Sequence, residues 1–169
     1  MPRAVLVGPP GAGKTTVGQL LADRWGVTFR DTDADVEQTA GMSVSDIFVT
    51  EGEDRFRELE RAAVAAALAS HDGVLALGGG AVLAPATRAA LAGHTVVHLN
   101  VGSSDAAKRV GLARDRPLLI EAPRTRLAAM LRERAPLYAE VATIVVDTSG
   151  RTPEDVAESV ADAIEKVSR

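Results

Sequence analysis

The sequence predicts an α/β fold with a parallel sheet covered by helices on both faces, and three observations carry that expectation. Five apolar runs, "AVLV" (Ala4–Val7), "VTF" (Val27–Phe29), "VLAL" (Val74–Leu77), "TVVHLNV" (Thr95–Val101) and "TIVVD" (Thr143–Asp147), are mostly continuous rather than alternating. That is the pattern of strands buried on both faces. Helical patterns lie between these runs, and alternation of strand and helix builds a parallel sheet. A glycine-rich turn, Gly8 to Thr16, joins the first run to the first helix.

The elements follow in chain order. Lys14–Trp25 reads as a helix that stops before Gly26. A second is expected over Ala34–Ala40, and "SVSD" at Ser43–Asp46 has capping-box spacing with Asp in place of Glu. Glu53–Ser70 carries Phe56, Leu59, Ala63 and Ala67 at helical spacing and closes on "HDG". Pro85–Ala92, Ser103–Val110, Arg124–Val141 and Pro153–Val167 also read as helices. Gly111–Pro123, "GLARDRPLLIEAP", has little periodicity and is expected to be a mobile flap carrying Arg114 and Arg116. No repeat divides the chain, so residues 1–169 are expected to form one domain with a lid at about 111–123.

Composition narrows the function. A net charge of −4 and a pI of about 5.4 give no basic footprint for nucleic acid. There is no cysteine, which excludes disulfides and thiolate metal sites. The first strand begins three residues in, with no room for a signal peptide, and no apolar run reaches the length of a membrane span. The expectation is a cytoplasmic protein with no membrane partner.

The pattern Gly8-x-x-x-x-Gly13-Lys14-Thr15 matches a P-loop, and it lies in the confirming context of strand, loop and helix. Glycines let successive N–H groups curl toward phosphate oxygens, and the helix N-terminus adds positive potential. Lys14 supplies a point charge between β- and γ-phosphates, and Thr15 a hydroxyl for Mg²⁺.

What faces the phosphate is less general. In "RDTDADVEQ", an extended chain through Asp31-Thr32-Asp33 projects both carboxylates to one side, one toward a metal shell and one toward an acceptor hydroxyl. The alternative is an Asx turn that starts the next helix. In "FRELE", Arg57 and Glu60 are i,i+3 neighbours: Arg57 holds an acceptor carboxylate while Glu60 fixes it, or the two form a surface ion pair. Gly78–Gly80 ends the third strand, and this triple glycine exposes N–H groups to a ligand, makes a tight turn, or does both. Arg134 in "RERAPLY" is either part of the site or a cation near a helix C-terminus.

Taken in order, "GPPGAGKTT", "DTD", "FRELE", "LALGGG", "DRPLL" and "RAPLY" resemble shikimate kinase from Met1 to about Pro153. The P-loop is generic, and the spacing of the later motifs narrows the likeness. The resemblance implies a nucleoside-monophosphate-kinase-like three-layer sandwich whose five-stranded parallel sheet is ordered 2-3-1-4-5. It implies transfer of the ATP γ-phosphate to the 3-hydroxyl of shikimate, in aromatic amino-acid biosynthesis through chorismate, by a monomer. Gly11, Ala12, Gly13, Lys14, Thr15 and Thr16 would hold the nucleotide phosphates, with Mg²⁺ organised by Thr15 and Asp31. Asp33 would hold the shikimate hydroxyls and act as the base. Arg57 and Arg134, helped by the N–H groups of Gly78, Gly79 and Gly80, would clamp the carboxylate, and Glu60 would position Arg57. Arg116 would reach the phosphates on lid closure, Arg109 would stack near adenine, and Pro153 would line the adenine pocket. The chain departs from relatives at "LALGGG", where Ala76 and Leu77 offer no hydroxyl and leave the metal to Thr15 and Asp31. It also has Gly150 followed by Arg151 in "TSGRTP", where relatives place an arginine near the adenine loop.

Rival readings differ in the acceptor. Water would leave "DTD" and the arginines without a purpose. An adenylate kinase continues with Gly after the P-loop lysine, where this chain has Thr15. A gluconate-type kinase shares the fold and a carboxylated acceptor. A non-catalytic nucleotide-binding module is disfavoured by the intact Asp33, Arg57 and Arg116.

Overall fold

The structure, a computed structural model, describes residues 1–101 and 123–167, with the backbone alone over 123–127. Strands β1 (Ala4–Val7), β2 (Phe29–Asp31), β3 (Val74–Ala76), β4 (Val96–Asn100) and β5 (Ile144–Asp147) form one sheet in the order β2-β3-β1-β4-β5. Every pairing is parallel, with Leu6 beside Ala76 on one side and Val97 on the other. This is the sheet order that the resemblance implies.

Helices α1 (Lys14–Trp25), α2 (Thr32–Ala40), α3 (Val44–Thr50), α4 (Glu53–Ser70), α5 (Pro85–Ala90), α6 (Pro123–Val141) and α7 (Pro153–Val167) accompany it. Alternate residues of β1 serve opposite faces, because successive side chains of a strand point to opposite sides. Ala4 and Leu6 pack with Val17 and Leu21 of α1 and with Val160 of α7. Val5 and Val7 pack with Val64 of α4 and Tyr138 of α6. The result is three layers. A satellite core of Val36, Ile47 and Phe56 joins α2, α3 and α4 into a lobe beside the sheet, with the Phe48 and Phe56 rings 4.9 Å apart. Among the described residues, no helix is long and apolar enough to cross a membrane.

Several boundaries differ from expectation. The second strand is Phe29–Asp31, not Val27–Phe29, because the Val27 N–H bonds the Ala22 carbonyl at the end of α1 and so belongs to the turn. The chain is not extended beyond Asp31. Helix α2 begins at Thr32, and the Asp31 carboxylate caps it by accepting from the Asp33 N–H at 2.8 Å. Ser43 caps α3 in the same way, accepting from Asp46 N–H at 3.1 Å, as its spacing predicts. Helix α6 continues through Pro136 to Val141, so Arg134 lies inside a helix and not at its end. The expected helix Ser103–Val110, with Arg109, and the flap with Arg114 and Arg116 lie outside the described residues, up to Pro123, which opens α6.

Candidate active site

The loop between β1 and α1 wraps a cleft at the carboxyl ends of the strands, where ligands bind in sheets of this kind. Gly11 and Gly13 take φ of 82° and 89°, values that L side chains resist, and this sets the curl of the loop before Lys14 opens α1. The Lys14 ammonium donates to the Gly8 and Pro9 carbonyls at 2.8 and 3.0 Å, which holds it over the loop. Gly11, Gly13, Lys14, Thr15 and Thr16 line one wall of the cleft; Asp31, Asp33, Leu77, Gly78 and Gly79 line the other.

The "DTD" motif therefore faces the P-loop, by a route different from the extended one. As the cap of α2, Asp31 keeps its second oxygen for the Thr15 hydroxyl, which donates to it at 3.3 Å. Burial pushes the Asp31 carboxyl above its ordinary range, and the neighbouring Asp33 charge adds to the rise. The Asp33 N–H, Lys14 and Thr15 oppose it. Thr32, fully buried between the two, accepts from the Gly78 N–H at 3.2 Å and ties the motif to the glycine turn. Sequence reasoning missed this link, although a hydroxyl between two carboxylates at a strand end is a signal for one.

Across the turn, Arg57 donates to Glu60 at 2.9 Å, and the two side chains are only 15% and 4% exposed. The surface alternative for "FRELE" is thereby excluded. Glu60 lies on the buried face of α4 with Phe56, Val64 and Ala67, where helical spacing carries it inward. Its pKa is raised by burial, opposed chiefly by Arg57. The Nε of Arg57 is buried with no hydrogen-bond partner among the described residues.

The glycines make this packing feasible. A Cβ on Gly80 would run into both terminal nitrogens of Arg57, and one on Gly78 would lie 2.5 Å from Asp33 Oδ1 and 3.0 Å from Glu60 Oε2. One on Gly79 would meet Pro10 of the P-loop at 2.9 Å. The triple glycine is thus both a turn and the seam where P-loop, "DTD" and Arg57 approach one another.

Arg134 is 6% exposed on α6, near enough for its charge to favour the ionised form of Glu60, whose direct partner is Arg57. Tyr138, one turn further on, donates from its hydroxyl to the Gly79 carbonyl at 2.6 Å. Its ring packs 4.9 Å from His98 of β4. Burial raises the Tyr138 pKa to about 12 and, with Lys14 nearby, lowers that of His98.

A second hollow adjoins the first across the P-loop, lined by Ala12, Gly13, Thr16, Thr148, Arg151 and Pro153 among others. Pro153 thus lines a hollow next to the P-loop. Sequence reasoning assigned no role to Arg151, which is pinned by donating to the Asp147 and Asp155 carbonyls at 3.1 and 3.0 Å and to Ser159.

Comparison with known proteins bears on what this cleft accepts. The shikimate kinase family model matches residues 10–165. A shikimate kinase of Frankia casuarinae is 68% identical over 160 residues, covering 95% of this chain and 71% of that one. One of Thermobifida fusca is 62% identical over 160 residues, covering 95% and 93%. Shikimate kinase from Acinetobacter baumannii, solved in complex with shikimate, superposes with a TM-score of 0.93 at 36% identity, covering 96% of this chain and 92% of that one. A gluconokinase from Sinorhizobium meliloti superposes at TM-score 0.64 with 18% identity, a likeness of fold alone. With a family match over most of its length and relatives this similar, the chain belongs to the shikimate kinase family.

Proposed function

We propose that this one cleft divides the work of phosphoryl transfer among the residues described above. The chain is a shikimate kinase, which moves the γ-phosphate of ATP to the 3-hydroxyl of shikimate and yields shikimate 3-phosphate and ADP, within aromatic amino-acid biosynthesis. The residue roles rest on one observation above all. The P-loop lysine and a carboxylate pair line opposite walls of a single cleft, and a buried arginine stands beyond them.

Phosphoryl transfer has a loose transition state, so positioning and charge dominate its catalysis. Lys14 neutralises the transferring phosphoryl group, and the N–H groups of Gly11 to Thr16 hold the other phosphates. Asp33 orients the acceptor hydroxyl and takes its proton as the bond to phosphorus forms. Arg57 and Arg134 hold the shikimate carboxylate through charge-assisted bonds, with Gly78–Gly80 supplying N–H donors. Arg116 and Arg109, carried over from the resemblance, act on the phosphates and adenine, and the second hollow receives the base beside Pro153.

Thr15 and Asp31 suit Mg²⁺. They offer hard oxygen donors, and Mg²⁺ needs only one or two carboxylates beside substrate phosphates. The raised pKa of Asp31 marks a carboxylate buried next to a like charge, an arrangement that a cation relieves. Bound there, the ion would neutralise charge on the phosphates. The enzyme acts as a monomer, since every group assigned here comes from one chain, and its composition favours a cytoplasmic location.

The test is ADP release with shikimate, gluconate, AMP or no acceptor, with Mg²⁺ and with chelator. Turnover should appear with shikimate and Mg²⁺ alone. Equal release with gluconate, or without any acceptor, would overturn the assignment.

A further inference from the structure

Tyr138 touches one of the groups just assigned to the acceptor, shares a helix face with another, and is itself assigned to nothing. Its hydroxyl donates to the Gly79 carbonyl at 2.6 Å, and Arg134, four residues earlier on the same face of α6, lies close enough for its charge to act on the phenol. The side chain is 2% exposed, so this hydroxyl has no water to fall back on. The peptide between Gly79 and Gly80 is trans, as are all among the described residues, so its C=O and N–H point in opposite directions. Anchoring the Gly79 oxygen to α6 therefore aims the Gly80 N–H away from α6, and no described residue accepts from that N–H. Gly80 also lies directly against the Arg57 guanidinium. A ring held by His98 at 4.9 Å cannot swing away without disturbing the core.

We propose that Tyr138 is a positioning residue for the acceptor, a joint that pins the Gly79–Gly80 turn to the helix carrying Arg134 and so fixes the acceptor wall on which Arg57 and Arg134 act. The inference rests on the reading that Arg57, Arg134 and the glycine turn hold shikimate. The raised phenol pKa keeps the donor proton in place at every physiological pH.

Tyr138→Phe removes the hydroxyl and keeps the ring, and Ile164→Val on α7, buried far from the cleft, serves as a variant of similar mild destabilisation. The KM for shikimate should rise about three- to tenfold in Tyr138→Phe, the worth of one hydrogen bond, while the KM for ATP holds. Ile164→Val should change neither. Because Tyr138 is the single tyrosine of the chain, 3-fluorotyrosine labels it alone without altering the fold, and its ¹⁹F resonance should shift when shikimate is added. An unshifted resonance, an unchanged shikimate KM in Tyr138→Phe, or an equal rise in Ile164→Val each overturns the inference. Arg57→Lys separates the two levels. If it weakens shikimate binding while Tyr138→Phe does not, the inference fails and the reading of the acceptor site stands. If Arg57→Lys has no effect, both fail.

Discussion

Gly80 and Arg57 are in such close approach that the glycine has no room for a side chain: a Cβ there would overlap both terminal guanidinium nitrogens. The backbone at Gly80 has φ −96° and ψ 2°, a conformation that other residues adopt, so space alone requires the glycine. The relationship connects a turn at the end of β3 to a buried cation on α4, and it fixes where that cation can reach.

Gly80→Ala should therefore fold and displace Arg57. The shikimate KM should rise at least about tenfold, as for a lost bond to a charged group, with the KM for ATP near wild type. Steady-state kinetics with each substrate varied in turn checks this. An unchanged shikimate KM would show that Arg57 does not need its present position.

Asp31 gives a stability prediction with a definite sign. Its folded pKa lies above the ordinary 3.8, so between the two values the folded chain holds more protons than the unfolded one, and stability falls as pH rises through that window. At pH 7 the ionised, buried carboxylate is a net cost. Asn caps a helix about as well as Asp, so Asp31→Asn should raise the Tm at neutral pH, in buffer without nucleotide or metal, while turnover collapses. The gain should shrink as pH falls toward 3.8. Thermal scans across that range check it, and a variant less stable than wild type at pH 7 contradicts it.

How much of this was legible in the sequence depends on whether the cause was local. Lys14–Trp25, Glu53–Ser70 and Pro153–Val167 were readable to the residue because caps and periodicity lie within the helix. Strand β2 was misplaced because its extent follows from pairing Arg30 with Leu75 and Asp31 with Ala76, partners far away in the chain. The importance of "DTD" was legible, but not that its two readings hold together: the Asx cap and helix start coexist with the cleft-facing geometry that the extended reading supplied. Whether Arg57–Glu60 lay inside or outside depended on which face of α4 the sheet covers, which spacing alone leaves open. Tyr138 and Thr32 lie within "RAPLY" and "DTD", but their roles were not legible there, since each acts through a backbone group of the glycine turn.

Lys14 is held by two carbonyls of its own loop, contacts that add little to the stability of the fold. Lys14→Met should melt near wild type and lose about 10²–10³-fold or more in turnover, as other preorganised charge stabilisers do. Circular dichroism with an ADP-release assay checks both. Substantial turnover by the folded variant would remove the lysine from the mechanism.

Asp33 lines the cleft opposite the P-loop. Asp33→Asn keeps the shape and removes the base, so turnover at saturating shikimate should fall about 10²–10⁴-fold. A loss smaller than about tenfold would assign the proton to another group.

The central claim is that Arg57 reads the carboxylate of shikimate, and one calorimetric cycle tests it directly. Shikimate and its methyl ester are titrated into wild type and Arg57→Lys. The ester should bind wild type about tenfold or more weakly than the acid, since its carbonyl leaves a buried guanidinium short of a charged acceptor. Lysine cannot make the planar two-point contact, so the variant should lose affinity for the acid and little for the ester. The account predicts a coupling energy of about 1 kcal/mol or more between the mutation and the ligand's charge. A coupling near zero would contradict it and leave Arg57 as a partner of Glu60 alone.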